Sequence, residues 1–141
     1  MSTPELLDPA DELAIRNLVA RLAQMADMAG IEELDDYVGC FTEDGIWEAP
    51  IGTSRGREEI RQAATERRKS GGQGPGSNSR HVISTHSVRA DGPDQAVSEA
   101  YFTAYANTTT APTILIIGYY YDTMRKTPEG WQIAHRQITF G

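Results

Sequence analysis

The sequence predicts an α+β fold in which three N-terminal helices cover a curved antiparallel sheet. Helical spacing of apolar residues dominates the chain up to about residue 69, whereas β-branched and aromatic residues dominate from residue 80 onward. The C-terminal part also contains two long strand-like segments, PTILIIGYYYDTMRK and WQIAHRQITF, separated by the turn sequence TPEG. Helices grouped early and strands grouped late indicate a sheet with helices packed on one side, in a single domain spanning 1–141.

The C-terminal hairpin is expected to form the centre of the sheet. Its first arm contains Ile114–Ile117 followed by Tyr119–Tyr121, and such an unbroken run favours a strand that is covered on both faces. Its second arm alternates apolar and polar residues from Trp131, which is typical of a half-buried strand. Two further strands, Arg80–Ala90 and Gln95–Thr109, complete a four-stranded meander.

Three helices are predicted upstream of the meander. Residues 1–9 contain two prolines and are expected to form a loose arm. A first helix follows at Glu12–Ala29, capped by Asp8 or Asp11 and closed by Gly30. A short second helix begins near Ile31. The third, Arg57–Lys69, carries acidic residues early and basic residues late, as the helix dipole favours.

The connecting segments contain turn chemistry and one short strand. Thr42–Gly45 is predicted to be a turn, Ile46–Ala49 a short strand, and Gly52–Gly56 a turn or the second limb of a small hairpin. Ser70–Ser79 contains four glycines and is predicted to be a flexible loop. It forms either the rim or lid of a pocket or a plain surface loop.

Charge and cysteine content exclude several functional classes. The formal net charge of −7 argues against nucleic acid or an anionic membrane as partner, and no segment is apolar for long enough to cross a bilayer. The N-terminus lacks the features of a signal peptide, and Cys40 stands alone, so a reducing cytoplasm is the expected location. The spacing of the three histidines predicts no metal site, and no phosphate-binding loop is present.

Strand alternation and helical geometry select the candidate site residues. His81 shares a strand face with Ile83 and Thr85, whereas His86 is expected on the opposite face. Arg136 is expected to share a face with Ala134 and Ile138.

Asp27 lies opposite the main apolar stripe of the first helix, which by itself predicts a solvated side chain. However, Ala20 and Ala23 form a stripe of small residues leading to Asp27, and this stripe could leave room for a ligand.

Other polar and aromatic residues have competing interpretations. His86 and His135 are interpreted as surface or interface residues, and Glu48 and Glu99 are weaker candidates for a second acid. Trp47, Trp131 and Tyr119–Tyr121 are interpreted as core or subunit interface in preference to a ligand platform. The predicted substrate contacts are Ala23, Trp47, Ile83 and Tyr101.

The order of these segments resembles the SnoaL-like, ketosteroid-isomerase-like and scytalone-dehydratase-like superfamily. The segments are MAD at residues 25–27, YVGCFTEDGIW at 37–47, GREEI at 56–60, RH at 80–81 and GWQIAHR at 130–136. The stretch ILIIGYYYDTMRKTPEGWQIAHR is most similar to the branch of hexachlorocyclohexane dehydrochlorinase and bile-acid dehydratase. The resemblance implies that the sheet curls into a cone-like barrel.

The resemblance also implies a catalytic trio of Asp27, His81 and Arg136. In that branch an aspartate orients a histidine, the histidine removes a proton from carbon, and an arginine stabilises the resulting charge. We follow the resemblance for Asp27 although the helical wheel disagrees. No cofactor is implied, and the substrate would be small, hydrophobic and cyclic.

One departure concerns a tyrosine that some dehydratases of this group carry on the first helix. The corresponding positions here are Leu22 and Ala26. Tyr101, Tyr119 or Tyr121 would then have to supply the hydroxyl from the sheet. This departure weakens the case for dehydration more than the case for proton abstraction.

Three functional alternatives remain open from the sequence. The chain is a lyase or isomerase, including polyketide-cyclase-type chemistry, or a non-catalytic binding or assembly module, or the small subunit of a ring-hydroxylating dioxygenase. An Asp–His hydrogen bond inside a closed pocket would favour the enzyme. The excess of Ile and Tyr on the sheet predicts a homodimer or homotrimer.

Overall fold

The structure is a computed structural model that describes residues 6–141, and it confirms the α+β fold. The helices are α1 (Pro9–Met28), a 3₁₀ turn (Ile31–Glu33), α2 (Leu34–Gly39) and α3 (Gly56–Lys69). The strands are β1 (Phe41–Ala49), β2 (Gly52–Arg55), β3 (Arg80–Ala90), β4 (Gln95–Ala106), β5 (Thr113–Thr127) and β6 (Gly130–Phe140). No helix among the described residues combines the length and apolar content needed to cross a bilayer.

The six strands form one open, mixed sheet in the order β2-β1-β6-β5-β4-β3. The predicted hairpin is β5 and β6 and lies at the centre of this order. All neighbours pair antiparallel except β1 and β6, which are parallel, so the sheet is not wholly antiparallel as predicted. The parallel pair arises because β1 docks beside the last strand of the chain, and this long-range pairing leaves no local signal in the sequence.

Helix α1 begins earlier than predicted and ends differently. Asp8 caps it by accepting a hydrogen bond from the Ala10 backbone N–H at 2.9 Å. Pro9 is therefore the first helical residue, where a missing N–H costs nothing, and not part of a loose arm. Residues 1–5 of the predicted arm lie outside the described residues. The helix ends at Met28, and Gly30, the predicted closing residue, has φ −78° and so lacks the left-handed conformation in which glycine usually ends a helix.

The segment predicted as a turn at Thr42–Gly45 belongs to β1. The pairing of β1 with β6 shifts register between Phe41 and Ile46, so this segment is an irregularity within the strand. Turn-forming residue types are found at such bulges as well as in turns. Strand β4 also ends at Ala106, three residues before the predicted end.

The start of β5 is exposed and not covered on both faces as predicted. Ile114, Leu115 and Ile117 are 58%, 62% and 54% exposed. The main core instead lies between the concave face of the sheet and the helices. Its fully buried side chains include Ile15, Leu22, Phe41, Met124 and Ile133.

Candidate functional site

The carboxylate of Asp27 and the imidazole of His81 form a hydrogen-bonded pair. Asp27 Oδ1 lies 2.7 Å from His81 Nδ1, and Asp27 Oδ2 accepts the His81 backbone N–H at 2.9 Å. The Asp27 residue is only 4% exposed. With Nδ1 held by the carboxylate, Nε2 is the ring nitrogen that remains for a ligand.

The helical wheel was wrong about Asp27. The buried line of α1 runs through Ile15, Val19, Ala23 and Asp27 at intervals of four residues. The helical wheel counted Leu18 and Met25 as fully as the buried residues, which moved the predicted apolar stripe away from Asp27. Both side chains are only partly buried, at the edge of the buried line. Ala20, from the predicted stripe of small residues, is exposed.

The end of α1 that carries Asp27 is fixed by the segment around the end of α3. Arg68 donates to the carbonyl oxygens of Ala29 at 2.7 Å and Met25 at 2.9 Å. The Gly74 backbone N–H donates to the Ala26 carbonyl at 3.1 Å. The Met25 carbonyl also accepts the Ala29 backbone N–H, whereas the bond from Gly74 satisfies the Ala26 carbonyl, which the end of the helix would leave without a partner. The position of Asp27 therefore depends on residues 68–74.

His81 opens into a cavity of about 120 Å³ between α1 and the sheet. Most of its lining is apolar or aromatic: Leu22, Ala23, Ala26, Trp47, Ala49, Ile51, Phe102, Ala104, Ile116, Ile138 and Phe140. The polar side chains in the lining are Tyr37, Arg67, Gln73, His81, Tyr120 and Arg136. A small apolar cavity with a few convergent polar groups is typical of a small-molecule site.

Of the predicted substrate contacts, Ala23 and Trp47 line the cavity and two do not. Tyr101 is 51% exposed, because its neighbours on alternate positions of β4, Phe102 and Ala104, face the cavity instead. Ile83 packs against the core clusters beside His81 without lining the cavity.

Arg136 lines the cavity but is already paired with Asp122, a residue that the sequence interpretation missed. Arg136 Nε and Nη2 donate to the two Asp122 oxygens at 2.8 and 2.9 Å, and the guanidinium lies 3.9 Å from the centre of the Tyr120 ring. Burial opposes the charge of Arg136, but the Asp122 carboxylate outweighs it and raises the arginine pKa. The remaining nitrogen, Nη1, has no protein partner among the described residues.

A strand bulge changes which residues share a face with Arg136. The pairing of β6 with β5 shifts between Thr123 and Met124, so Ile133 pairs with Met124 and Arg136 with Asp122. Ile133 is fully buried on the same side as Arg136, instead of lying with His135 as alternation predicted. Asp122 follows Tyr120 by two residues in the sequence, so simple alternation would have placed it on the inner face.

His86 also lies on the inner face, contrary to the prediction. Thr85 has φ +48°, and the register of β3 shifts between Ser84 and Ser87, which reverses the alternation. His86 Nε2 lies 2.7 Å from the hydroxyl of the buried Ser98. Burial is the main cause that lowers the pKa of His86.

His135, Glu48 and Glu99 lie on the outer face of the sheet, whereas Trp131 packs against the main core and donates its indole N–H to Asp11 of α1 at 2.9 Å. His135 Nε2 is 3.7 Å from Glu48 Oε1, and Glu99 accepts a hydrogen bond from the Tyr119 hydroxyl. That bond raises the pKa of Tyr119 to about 12.

The hydroxyls inside the cavity come instead from Tyr37 of α2 and Tyr120 of β5. Burial raises the pKa of Tyr120 to about 12, so its hydroxyl stays protonated at neutral pH. Among residues 6–141, no cluster of His, Cys, Asp and Glu is placed to hold a metal ion.

Comparison with solved structures identifies the fold. A Nostoc punctiforme protein of unknown function with a cystatin-like fold is 26% identical, with a TM-score of 0.81, and the match covers 97% of this chain and 95% of that chain. Rv3472, a Mycobacterium tuberculosis protein of unknown function, is 27% identical with a TM-score of 0.76, and the match covers 95% and 76% of the two chains.

A provisionally assigned scytalone dehydratase from Novosphingobium aromaticivorans shares the fold at 18% identity. Its TM-score is 0.75, and the match covers 94% of this chain and 85% of that one. A comparison with curated protein sequences gives no significant match. A family model for the SnoaL-like domain matches residues 8–137, which is nearly the whole chain. The chain therefore belongs to the SnoaL-like domain family.

Proposed function

We propose that this protein is a cofactor-free lyase or isomerase that removes a proton from carbon in a small, hydrophobic, cyclic substrate. The observation that carries the proposal is the Asp27–His81 hydrogen bond at the wall of a largely apolar cavity. The carboxylate holds the ring with its proton on Nδ1 and increases the basicity of Nε2, which then accepts the substrate proton.

In this proposal Arg136 stabilises negative charge that develops on the substrate. The bidentate contact with Asp122 offsets much of the arginine charge, so the contribution would come from Nη1 as an oriented hydrogen-bond donor. Electrostatic stabilisation by a fixed donor needs no reorganisation during the reaction, and the buried ion pair fixes this donor. The Asp122 pair thus holds Arg136 in position beneath the cavity.

Dehydration and elimination of chloride, as in the bile-acid dehydratase and dehydrochlorinase branch, are the finer alternatives within the proposal. Leu22 and Ala26 replace the helix tyrosine, but Tyr37 and Tyr120 bring hydroxyls to the same cavity. A protonated phenol could donate to a leaving hydroxyl group or to a carbonyl oxygen. Cyclisation of a polyketide chain would use the same base.

Proton abstraction can be tested without knowing the natural substrate. The protein is incubated in D₂O with panels of cyclic ketones, β-hydroxy ketones and chlorinated cyclohexanes, and exchange or elimination is followed by NMR. We expect His81→Ala and Asp27→Asn to reduce any activity by about 10²–10⁴-fold, whereas His135→Ala on the outer face leaves it unchanged. Equal activity of all variants would contradict the assignment of His81 and favour a non-catalytic binding module.

Self-association through the outer face of the sheet is part of the proposal. The exposed apolar residues at the start of β5 would be covered by a second copy of the chain. Light scattering after size-exclusion chromatography is expected to give a dimer or trimer, and Ile117→Asp is expected to shift it toward the monomer. A wild-type monomer at all concentrations would refute this expectation.

A further inference from the structure

Arg67, near the end of α3, is a second cation in the cavity lining, and unlike Arg136 it has no acidic partner among the described residues. Its Nε donates to the Gln73 side-chain oxygen at 3.1 Å, and its Nη2 donates to the Tyr37 hydroxyl at 3.4 Å. The centre of the guanidinium lies 4.8 Å from the centre of the Trp47 ring. Within residues 6–141 no carboxylate forms an ion pair with Arg67.

The neutral neighbours of Arg67 orient its guanidinium without cancelling its charge. Trp47 supports the planar group by a cation–π contact, while Gln73 and Tyr37 occupy Nε and Nη2. Nη1 has no protein partner in the described part of the chain. The next residue, Arg68, has a different role, because its guanidinium donates hydrogen bonds to backbone carbonyls at the end of α1.

The position of Arg67 separates it from the proposed base. His81 belongs to β3, an edge strand of the sheet, whereas Trp47, which supports Arg67, belongs to β1. Three strands, β6, β5 and β4, lie between them in the sheet order. Both groups line the same cavity, so a ligand that contacts both would have its charged end at Arg67 and its reacting carbon at His81.

We propose that Arg67 is the specificity residue that binds a substrate carboxylate, so that the substrate class is small cyclic carboxylic acids. The substrate class rests on the proposed function, but the anion site does not. The planar guanidinium of Arg67 can donate hydrogen bonds to both oxygens of a carboxylate. Because no protein carboxylate among the described residues pairs with Arg67, its positive charge is available to balance the negative charge of the substrate. The apolar lining and the volume of about 120 Å³ suit a single compact ring attached to that group.

Benzoate and its neutral isostere benzamide test the anion site by titration calorimetry and NMR. We expect wild-type protein to bind benzoate about tenfold or more tightly than benzamide, since a hydrogen bond between two charged groups is stronger than one to a neutral amide. The Trp47 indole N–H signal should shift on addition of benzoate, which locates the binding in the cavity. Arg67→Gln should abolish the preference for benzoate without changing benzamide binding.

A matched control and a second variant keep the test decisive. Lys69→Gln removes an exposed cation from the same helix outside the cavity and should keep the preference. Arg67→Lys retains the charge but lacks the planar pair of donors, so we expect a severalfold loss of benzoate affinity. This variant provides the test if Arg67→Gln does not fold. Failure of wild-type protein to prefer benzoate, retention of the preference in Arg67→Gln, or an unchanged benzoate affinity in Arg67→Lys would each overturn the proposal.

The proposed catalytic role is separable in the same experiment. Asp27→Asn should keep the preference for benzoate while losing proton transfer. Benzoate binding that depends on Arg67, together with proton transfer that does not depend on His81, would leave the anion site standing and refute only the base.

Discussion

Replacing Asp27 with asparagine tests the central contact of the site without changing its shape. The carboxylate accepts two hydrogen bonds from His81, one from Nδ1–H and one from the backbone N–H. An asparagine has one acceptor oxygen and one NH₂ group. If the oxygen keeps the backbone bond, the NH₂ group faces Nδ1 and can be satisfied only when the ring proton moves to Nε2.

The expected cost follows from the loss of charge at both contacts. A hydrogen bond to a charged acceptor contributes about 1 kcal/mol more than a neutral one, so two such bonds predict a loss of about 2 kcal/mol in the free energy of unfolding. The functional cost is expected to be larger. A proton on Nε2 removes the lone pair that would accept the substrate proton, and the expected decrease is about 10²–10⁴-fold in any proton-transfer activity.

Two measurements check this prediction. Urea denaturation followed by tryptophan fluorescence gives the change in stability, and long-range ¹⁵N–¹H NMR of His81 reports the tautomer. Asp35→Asn is the control, because the Asp35 side chain is 91% exposed and pairs with Arg61 at the surface; we expect a change within about 0.5 kcal/mol. An Asp27→Asn protein that is as stable as wild type and keeps the His81 proton on Nδ1 would refute the reasoning.

Three further substitutions test the surroundings of the site. Asp122→Ala leaves the charge of Arg136 buried without a partner, and urea denaturation is expected to show a loss of about 3–5 kcal/mol. Gly118→Ala would place a methyl group against the ring of Phe102, closer than van der Waals contact allows, and the forced repacking is expected to cost about 1–3 kcal/mol in the same assay. Burial lowers the pKa of His86 in the folded protein below the value of about 6.5 that a histidine has in an unfolded chain. As the pH falls below about 6.5, the unfolded chain therefore binds a proton at this residue before the folded protein does, and folding loses stability. Wild type should lose more stability on this acidification than His86→Gln.

Each of these expectations has a result that would contradict it. A loss below about 1 kcal/mol for Asp122→Ala would mean that Arg136 finds another partner or leaves the interior. Gly39→Ala is the control for Gly118→Ala, because its added methyl group meets nothing within 4 Å, and equal effects of the two would rule out the contact with Phe102. For His86→Gln, a pH profile parallel to that of wild type would show that other groups dominate the acid response.

Local patterns in the sequence were sufficient for most of the secondary structure. The bounds of β3 were predicted to the residue, and α3 to within one residue, because each has turn or glycine-rich sequence on both sides. The parallel contact of β1 with β6 and the exposure of Ile114, Leu115 and Ile117 were not predicted. Both depend on which elements meet in space, and a run of branched residues looks the same whether or not another element covers it.

The site was predicted less evenly than the fold. The structure brings Asp27, His81 and Arg136 to one region, although their catalytic roles stay predictions. Bulges explain the errors on His86 and Ile133, because one extra residue reverses strand alternation and no local sequence rule locates it. Arg67 was missed because it belongs to a strongly charged helix, where one more basic residue late in the helix carries no specific signal.

The bonds from Arg68 and Gly74 to the last turn of α1 have a practical consequence for anyone who redesigns this scaffold. Substitutions at cavity-wall residues other than His81 and Gln73 leave these bonds in place. Shortening or replacing the glycine-rich segment after α3 is different, because Gly74 of that segment and Arg68 of α3 hold the end of α1 through their hydrogen bonds. Libraries that vary the loop should therefore retain residues 68–74 together.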